Sequence, residues 1–118
     1  MRMWMVDPKI MCRQHLLGEH VECHMLYGSI VEELYKHTPK RAKILCPERL
    51  HFRHYQLSEE MRNRGYNHKS PMLPYPRGYK PDRGEISVSD SLGELLHRCP
   101  SCRANWEKLN GPLPHLSS

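Results

Sequence analysis

The sequence predicts a mainly α-helical fold for this chain of 118 residues. Apolar residues recur at helical spacing, most clearly between Leu16 and Leu34, and no segment alternates apolar and polar residues as a half-buried strand does. Prolines and glycines stand at the borders of these runs, where helices start and stop. A chain of this length forms one domain. We therefore expect a single unit over residues 1–118, with about three helices and one long proline-rich loop.

The first helix is predicted from Asp7 to about Lys36. Asp7 suits the N-cap, where a carboxylate accepts backbone hydrogen bonds, and Pro8 suits the first helical position. The helix should end near Lys36 because Pro39 follows shortly, and proline disfavours helical backbone in the residue before it.

The second helix is predicted from about Pro47 to Arg64. Proline suits its first turn, and Gly65 suits its C-terminal cap because glycine adopts left-handed backbone there. Residues 66–86 follow and contain four prolines. Proline at that density excludes a helix or a central strand, so this segment is predicted to be a loop.

A third helix is predicted after this loop, with Ser87 or Ser89 as its N-cap. Its apolar face consists of three leucines: Leu92, Leu95 and Leu96. We expect the helix to end near Cys99, and residues 107–118 to form an irregular tail.

The composition favours a polyanionic partner. Lysine and arginine outnumber aspartate and glutamate by 18 to 13, and the sequence pI is about 9.1. Nucleic acid is the polyanion that such a surface most often binds. No apolar run approaches the roughly 20 residues of a membrane span. Five cysteines without a secreted disulfide pattern favour a reduced, cytoplasmic compartment.

A polar stripe runs along the predicted first helix. At 100° per residue, His15, Glu19 and Glu22 fall within an arc of about 60°. Such a stripe has two interpretations. It is either a solvated helix face or a catalytic carboxylate with supporting polar groups.

Two blocks of sequence carry a resemblance to a known family. Residues 1–2 (Met-Arg), residues 14–17 (Gln-His-Leu-Leu) and Glu22 resemble the amino-terminal signature of the phage pyrimidine-dimer DNA glycosylases, the endonuclease V type. Residues 64–69 (Arg-Gly-Tyr-Asn-His-Lys) resemble the segment that closes the second helix of that family. The resemblance implies an endonuclease V-like helical domain with its amino terminus against the helices.

The resemblance also implies a mechanism. The nucleophile of the family is the α-amine of the first mature residue, and its key acid is a glutamate on the first helix, here Glu22. The offset from Met1 to Gln14 and Glu22 equals the family's offset from its processed terminus. Because Arg2 is too large for ordinary methionine removal, we expect Met1 itself to supply the amine. An α-amine has a pKa of about 7.7–8.0, so an appreciable fraction is neutral and nucleophilic near pH 7.

Five further residues are candidates for contacts with DNA. The resemblance implies that Arg2, Gln14 and His15 contact or position the lesion and the DNA backbone, and Lys69 and Ser70 could contact phosphate. The alternative for each is an ordinary exposed polar residue on a helix or loop surface.

The expected function is therefore a DNA glycosylase with associated apurinic/apyrimidinic (AP) lyase activity. We expect a monomer that acts on double-stranded DNA without a cofactor and removes a damaged or modified base, a pyrimidine dimer being one candidate. Val21 and Met25 occupy positions where the family carries arginines that hold DNA, which leaves the lesion open. Two alternatives remain: a non-catalytic DNA-binding module of the same fold, and a small zinc-stabilised interaction protein.

Two pairs of residues have the spacing of metal ligands. Cys99 and Cys102 match a zinc knuckle, but they supply only two of four ligands, and Cys46, His97 or another histidine would have to complete the site. The alternative is a pair of structural thiols at a helix end. His20 and His24 lie four residues apart on the first helix but lack the glutamate of the metalloprotease pattern.

Overall fold

A computed structural model of the chain describes residues 2–36, 46–81, 84 and 86–112. These residues form four α-helices: α1 (Arg13–Lys36), α2 (Leu50–Asn63), α3 (Val88–Arg98) and α4 (Pro100–Asn110). Short 3-10 turns at Pro8–Ile10 and Pro47–Arg49 precede α1 and α2, and the described residues contain no strand. The mainly α-helical fold class is confirmed, with one helix more than expected. None of the described helices is long and apolar enough to cross a membrane.

The prediction that the first helix begins at Asp7 was wrong in one respect. Asp7 is an N-cap, but it caps only the 3-10 turn, where its carboxylate accepts a hydrogen bond from the Lys9 amide. The turn does not continue into α1 because Met11 has extended backbone, with a ψ of 136°. The guanidinium of Arg64, the residue that follows α2, donates hydrogen bonds to the carbonyls of Pro8 and Met11 at 3.0 and 2.7 Å, which stabilises this break.

The second helix follows its prediction closely. The 3-10 turn at Pro47–Arg49 leads directly into α2, which ends at Asn63. Gly65 has a φ of 82°, its amide bonds the Arg62 carbonyl, and the Tyr66 amide bonds the Met61 carbonyl. This pair of bonds is a Schellman cap, which requires left-handed backbone at Gly65 and explains why glycine stands there.

The tail was expected to be irregular over residues 107–118, and this was wrong for its first part. Helix α4 extends to Asn110, and residues 113–118 lie outside the described part of the chain. Cys99 ends α3 and begins α4 at once, because its Sγ accepts a hydrogen bond from the Cys102 amide. Pro100 therefore occupies the first position of a new helix rather than terminating the old one.

The amino-terminal segment lies in the centre of the helical domain. Met3, Trp4 and Val6 are buried, and they belong to the same apolar core as residues of α1, α2 and α3. The Ser91 hydroxyl donates to the Trp4 carbonyl at 2.6 Å, and the Arg53 guanidinium donates to the Val6 carbonyl at 2.6 Å. Residues 2–6 are thus held by packing and by hydrogen bonds from two helices.

Helix contacts complete the arrangement. Helix α1 packs against α2, while α4 packs against α3 and against the 3-10 turn at Pro8–Ile10. The loop after α2 has no helix or strand among its described residues, 66–81, 84 and 86, as predicted. Its aromatic residues cover the core: Tyr75 stacks parallel to Tyr27 and donates its hydroxyl to the Pro47 carbonyl at 2.7 Å.

Candidate functional site

The predicted catalytic pair is only partly within the described structure. Glu22 is half-buried on α1, whereas Met1 lies outside the described residues. The nearest described backbone contact between the amino-terminal segment and α1 joins the Met5 amide to Glu19 Oε2 at 3.5 Å. Met5 has a φ of 59°, a left-handed conformation that is uncommon for a residue other than glycine. The segment therefore makes a strained bend beside the polar stripe of α1.

Arg2 is held on the side of the site formed by α3. Its Nη2 bonds Glu94 Oε2 at 2.8 Å, and its guanidinium lies 3.8 Å from the centroid of the Trp4 ring. The hydrogen bond from Arg2, helped by the charge of the nearby Arg98, lowers the pKa of Glu94. The Arg2 guanidinium, which is predicted to contact DNA, is thus already paired with Glu94 and stacked on the Trp4 ring.

The residues of the polar stripe on α1 lie in different environments. Glu19 is buried and accepts two hydrogen bonds from Arg53, from Nε at 2.5 Å and from Nη2 at 2.9 Å. Both side chains are almost fully buried, so their charges compensate each other in a medium of low polarity. Glu19 is therefore a structural partner of Arg53 and joins α1 to α2.

His15 lies in a group of sulfur ligands, which we call the thiol cluster. It consists of Cys12, His15, Cys99 and Cys102, whose donor atoms all lie within 4.8 Å of one another. Cys12 Sγ is 3.8 Å from Cys99 Sγ and 3.2 Å from His15 Nδ1, and Cys102 Sγ is 3.8 Å from the same nitrogen. Of the partners suggested for Cys99 and Cys102, Cys46 and His97 take no part among the described residues. The second pair comes instead from the start of α1.

Two members of the thiol cluster, Cys12 and Cys99, cap helix N-termini in the same way. Cys12 precedes α1 and accepts the His15 amide at 3.5 Å, just as Cys99 precedes α4 and accepts the Cys102 amide at 3.4 Å. Burial works against ionisation of Cys99, but hydrogen bonds from the Cys102 backbone and from neighbouring thiols hold its pKa below the ordinary value. Burial raises the pKa of Cys102 to about 12. A helix N-terminus favours a thiolate, which is the form that binds metals.

A second group, the imidazole cluster, lies farther along α1. It consists of His20, His24, His54 and His68. The Nε2 atom of His54 is 3.1 Å from Nε2 of both His20 and His24, and Nε2 of His20 is 2.9 Å from Nε2 of His68. Burial, together with the charge that neighbouring histidines would carry, lowers the pKa of His20 and of His54 to about 4. His20, His54 and His68 could together hold a metal ion.

The imidazole cluster borders an open cavity of about 410 Å³. His54, His68, Arg62 and Lys69 line it, and the Ser70 carbonyl lies 3.1 Å from His54 Nε2. The predicted DNA-contacting residues are therefore in two places. Lys69 and Ser70 lie beside this cavity, whereas Gln14 is exposed in the first turn of α1 together with the half-buried His15.

Val21 and Met25 are both exposed on α1, at 54% and 51% of their full accessible surface. They are neighbours on the helix, since they lie four residues apart. The two positions at which the resembling family carries arginines thus face solvent here, and they present apolar side chains.

One signal in the sequence could have completed the thiol cluster. Cys12 and His15 have the same three-residue offset as Cys99 and Cys102, and cysteine and histidine are both zinc ligands. The offset was not recognised because the first helix was expected to run unbroken through Cys12. His54 carried a misleading signal, because His51 stands at the same three-residue offset but does not belong to the cluster, and His68 carried none.

Comparison with known proteins identifies a family. The sequence pattern of the family described as pyrimidine dimer DNA glycosylase matches residues 1–74, which is more than half of the 118-residue chain. No curated protein and no solved structure gives a match. The matched region contains the amino-terminal segment, α1, α2 and the start of the proline-rich loop. The chain belongs to the pyrimidine dimer DNA glycosylase family.

Proposed function

We propose that this protein is a DNA glycosylase with associated AP lyase activity, in which the Met1 α-amine is the nucleophile and Glu22 the principal acid. Family membership implies DNA as the substrate. The observation that best supports the mechanism is the anchoring of residues 2–6 in the helical core, beside the stripe of α1 that carries Glu22.

The geometry limits how far the amine can lie from α1. The Met5 amide is 3.5 Å from Glu19 Oε2, and Glu22 lies one turn further along the same helix, about 4.5 Å along its axis. The chain from Met1 to Met5 makes four residue-to-residue steps, a span of at most about 14 Å. Since Met3 and Trp4 are buried, the tether is held by the core. This supports an amine within reach of the Glu22 carboxylate.

The chemistry follows from these groups. A neutral α-amine attacks C1′ of the deoxyribose, the bond from C1′ to the base breaks, and the base leaves with the electron pair and takes up a proton. The C1′–O4′ bond then breaks to open the sugar ring, a proton passes from the nitrogen to O4′, and an imine forms between the nitrogen and C1′. Removal of a C2′ proton then expels the 3′ phosphate by β-elimination, and water hydrolyses the imine to free the enzyme.

Glu22 has two tasks in this sequence. Its carboxylate stabilises the positive charge that develops on the sugar, and it assists the proton transfers around C1′ and C2′. Because the target nucleotide is stacked inside a duplex, the reaction requires it to be flipped out of the helix. The described surface beside Glu22 carries Val21, which is exposed and adds no charge of its own.

A non-catalytic DNA-binding module is the second candidate. It is favoured by the exposed Val21 and Met25, where the resembling family carries arginines that hold DNA. A binder would retain affinity for DNA without forming a covalent intermediate, which separates the two candidates by experiment.

The decisive experiment is borohydride trapping on duplex DNA that contains an abasic site. Intact-mass analysis first establishes which residue begins the purified chain, and peptide mass spectrometry then locates the adduct. We expect one covalent adduct on the Met1 amine. Tight binding without any adduct would establish the binder instead.

Two variants test the roles of the proposed groups. Glu22→Gln should lower strand scission by at least about 100-fold and leave DNA affinity nearly unchanged, because general acid–base groups contribute about 10²–10⁴-fold. Glu32→Gln, an exposed carboxylate on the same helix, is the matched control and should retain activity.

Adding one residue before Met1 tests the nucleophile. It displaces the amine by about 3.5 Å and should reduce trapping by about 100-fold, whereas the same residue added at the carboxyl end should have no effect. Equal trapping by both extended chains would rule out the terminal amine.

A further inference from the structure

The thiol cluster has the dimensions of a tetrahedral zinc site. Zinc binds sulfur at about 2.3 Å and nitrogen at about 2.0 Å, so two sulfurs on one ion are about 3.8 Å apart, and a sulfur and a nitrogen about 3.5 Å apart. Cys12 Sγ and Cys99 Sγ are 3.8 Å apart, and His15 Nδ1 is 3.2 and 3.8 Å from the sulfurs of Cys12 and Cys102. Side chains from two distant parts of the chain thus bring their sulfur and nitrogen atoms to the separations found around one zinc ion.

The composition of the cluster also fits zinc. Three cysteines and one histidine are a donor set of structural zinc sites, and Cys99 and Cys102 are buried while Cys12 and His15 are half-buried. A disulfide explains the arrangement less well. Sulfurs in a disulfide are about 2.05 Å apart, and a single bridge would leave the third cysteine and the histidine without a role.

We propose that Cys12, His15, Cys99 and Cys102 bind one structural zinc ion. All four ligands come from the protein, so the ion has no open position for a substrate and acts as a cross-link. The ligand pairs are separated by 87 residues of chain and lie at the N-termini of α1 and α4. The ion would cross-link the residues just before α1 to the junction of α3 and α4.

The first test uses the unmodified full-length chain. Protein purified without chelators should contain zinc, and X-ray absorption at the zinc edge should show sulfur scattering at about 2.3 Å. Replacement of zinc by Co²⁺ should give an intense thiolate-to-cobalt charge-transfer band. A chain that folds without zinc, and that shows no such band when Co²⁺ is added, would overturn the proposal.

Variants then assign the site. Cys102→Ser should lose about one equivalent of metal together with the charge-transfer band. Cys23→Ser is the matched control, because Cys23 is also buried but lies on α1 outside the cluster, and it should keep both. If Cys102→Ser fails to fold, the absorption spectrum of the unmodified protein decides the question alone. Loss of the band in both variants would contradict the assignment.

The imidazole cluster carries a second, independent inference. A neutral Nε2 atom either donates or accepts one hydrogen bond, yet Nε2 of His20 lies 3.1 Å from Nε2 of His54 and 2.9 Å from Nε2 of His68. Hydrogen bonds alone cannot satisfy that convergence. Two nitrogens bound to one tetrahedral ion are about 3.3 Å apart, close to the distances found here.

We infer that His20, His54 and His68 bind a second divalent transition-metal ion of the kind that prefers imidazole, such as zinc or nickel. Three protein ligands leave a position open, and the adjacent cavity of about 410 Å³ gives that position access to solvent.

Calorimetric titration with Ni²⁺ tests this second site on protein loaded with a single equivalent of zinc, which the thiolate ligands of the thiol cluster take up before the imidazoles. We expect about one nickel ion to bind per chain. His54→Gln should abolish the binding, and His97→Gln, a change at an exposed histidine outside the cluster, should leave it unchanged. Equal nickel binding by both variants would overturn the inference.

Discussion

The thiol cluster and the imidazole cluster connect α1 to the rest of the protein in different ways. The thiol cluster joins the start of α1 to the junction of α3 and α4, and its two C-terminal cysteines are buried. The imidazole cluster joins the middle of α1 to α2 and to the proline-rich loop, and it borders an open cavity. The thiol cluster offers three sulfur donors and one nitrogen donor, which together can fill all four positions of a tetrahedral ion. The imidazole cluster offers only nitrogen donors and lies beside a cavity that is open to solvent.

This difference indicates that the two clusters along α1 have different roles, one in stability and the other in ligand binding. A closed site with four protein ligands stabilises the fold, whereas a site with an open side can exchange its ligand. Lys69 and Ser70, the predicted phosphate contacts, follow His68 directly and lie at the open cluster. We therefore expect stability to depend mainly on the thiol cluster, and ligand binding to depend more on the surroundings of the imidazole cluster.

The largest effect should come from removing the metal of the thiol cluster. Cys99→Ser should lower the free energy of unfolding by on the order of 5 kcal/mol or more, because zinc binding contributes about 10–16 kcal/mol in small zinc-finger peptides and the remaining core here still folds part of the chain. Urea unfolding followed by tryptophan fluorescence measures this, since Trp4 lies edge-on to His15 with ring centroids 5.8 Å apart. A loss below about 1 kcal/mol would show that the cluster does not hold the fold together.

The next effect tests a link between α1 and α2 that uses no metal. Glu19→Gln should cost about 3–5 kcal/mol, because it leaves the buried Arg53 charge uncompensated. Replacing both residues by methionine should recover only part of that loss, because the Val6 carbonyl then loses its hydrogen bond from Arg53. Glu59→Gln, in an exposed pair with Arg62, is the control and should change the free energy of unfolding by less than about 1 kcal/mol. Equal costs for the two single variants would contradict the burial argument.

A smaller effect is expected at the imidazole cluster. In protein loaded with a single equivalent of zinc, which fills the thiol cluster, His68→Ala should lower the free energy of unfolding by no more than about 1 kcal/mol, because His68 lies in a loop and is only half-buried. Chemical unfolding of this variant beside Cys99→Ser compares the two clusters directly. A loss as large as that of Cys99→Ser would remove the proposed difference between them.

The smallest effect concerns the exposed side of α1. Val21→Arg and Met25→Arg should each add about one phosphate contact, which steepens the salt dependence of DNA affinity by about 0.9 in logarithmic slope. Fluorescence anisotropy with duplex DNA at several salt concentrations measures the slope. Phe52→Arg, an exposed apolar position on α2, is the control, and an equal change there would show that the added charge acts without regard to position.

Local features of the fold were predictable because each depends on a few neighbouring residues. Ser87 caps α3 and Gly65 adopts the left-handed backbone of a helix cap, both as expected, whereas Asp7 caps a 3-10 turn instead of the first helix. The catalytic roles of Met1 and Glu22 were inferred from resemblance and remain a prediction. What sequence reasoning missed was the break before α1, where the carbonyls of Pro8 and Met11 accept hydrogen bonds from Arg64, which is more than 50 residues away.

By itself the sequence determined most of the helical segments and supplied part of each cluster: Cys99 with Cys102 in the thiol cluster, and His20 with His24 in the imidazole cluster. Helical periodicity and ligand spacing are local properties that any single chain displays. Only the tertiary structure decided which distant side chains complete those groups, because Cys12 and His15 reach Cys99 and Cys102 through packing across most of the chain. The free energy of that packing is a sum over many contacts, and no short stretch of residues contains it.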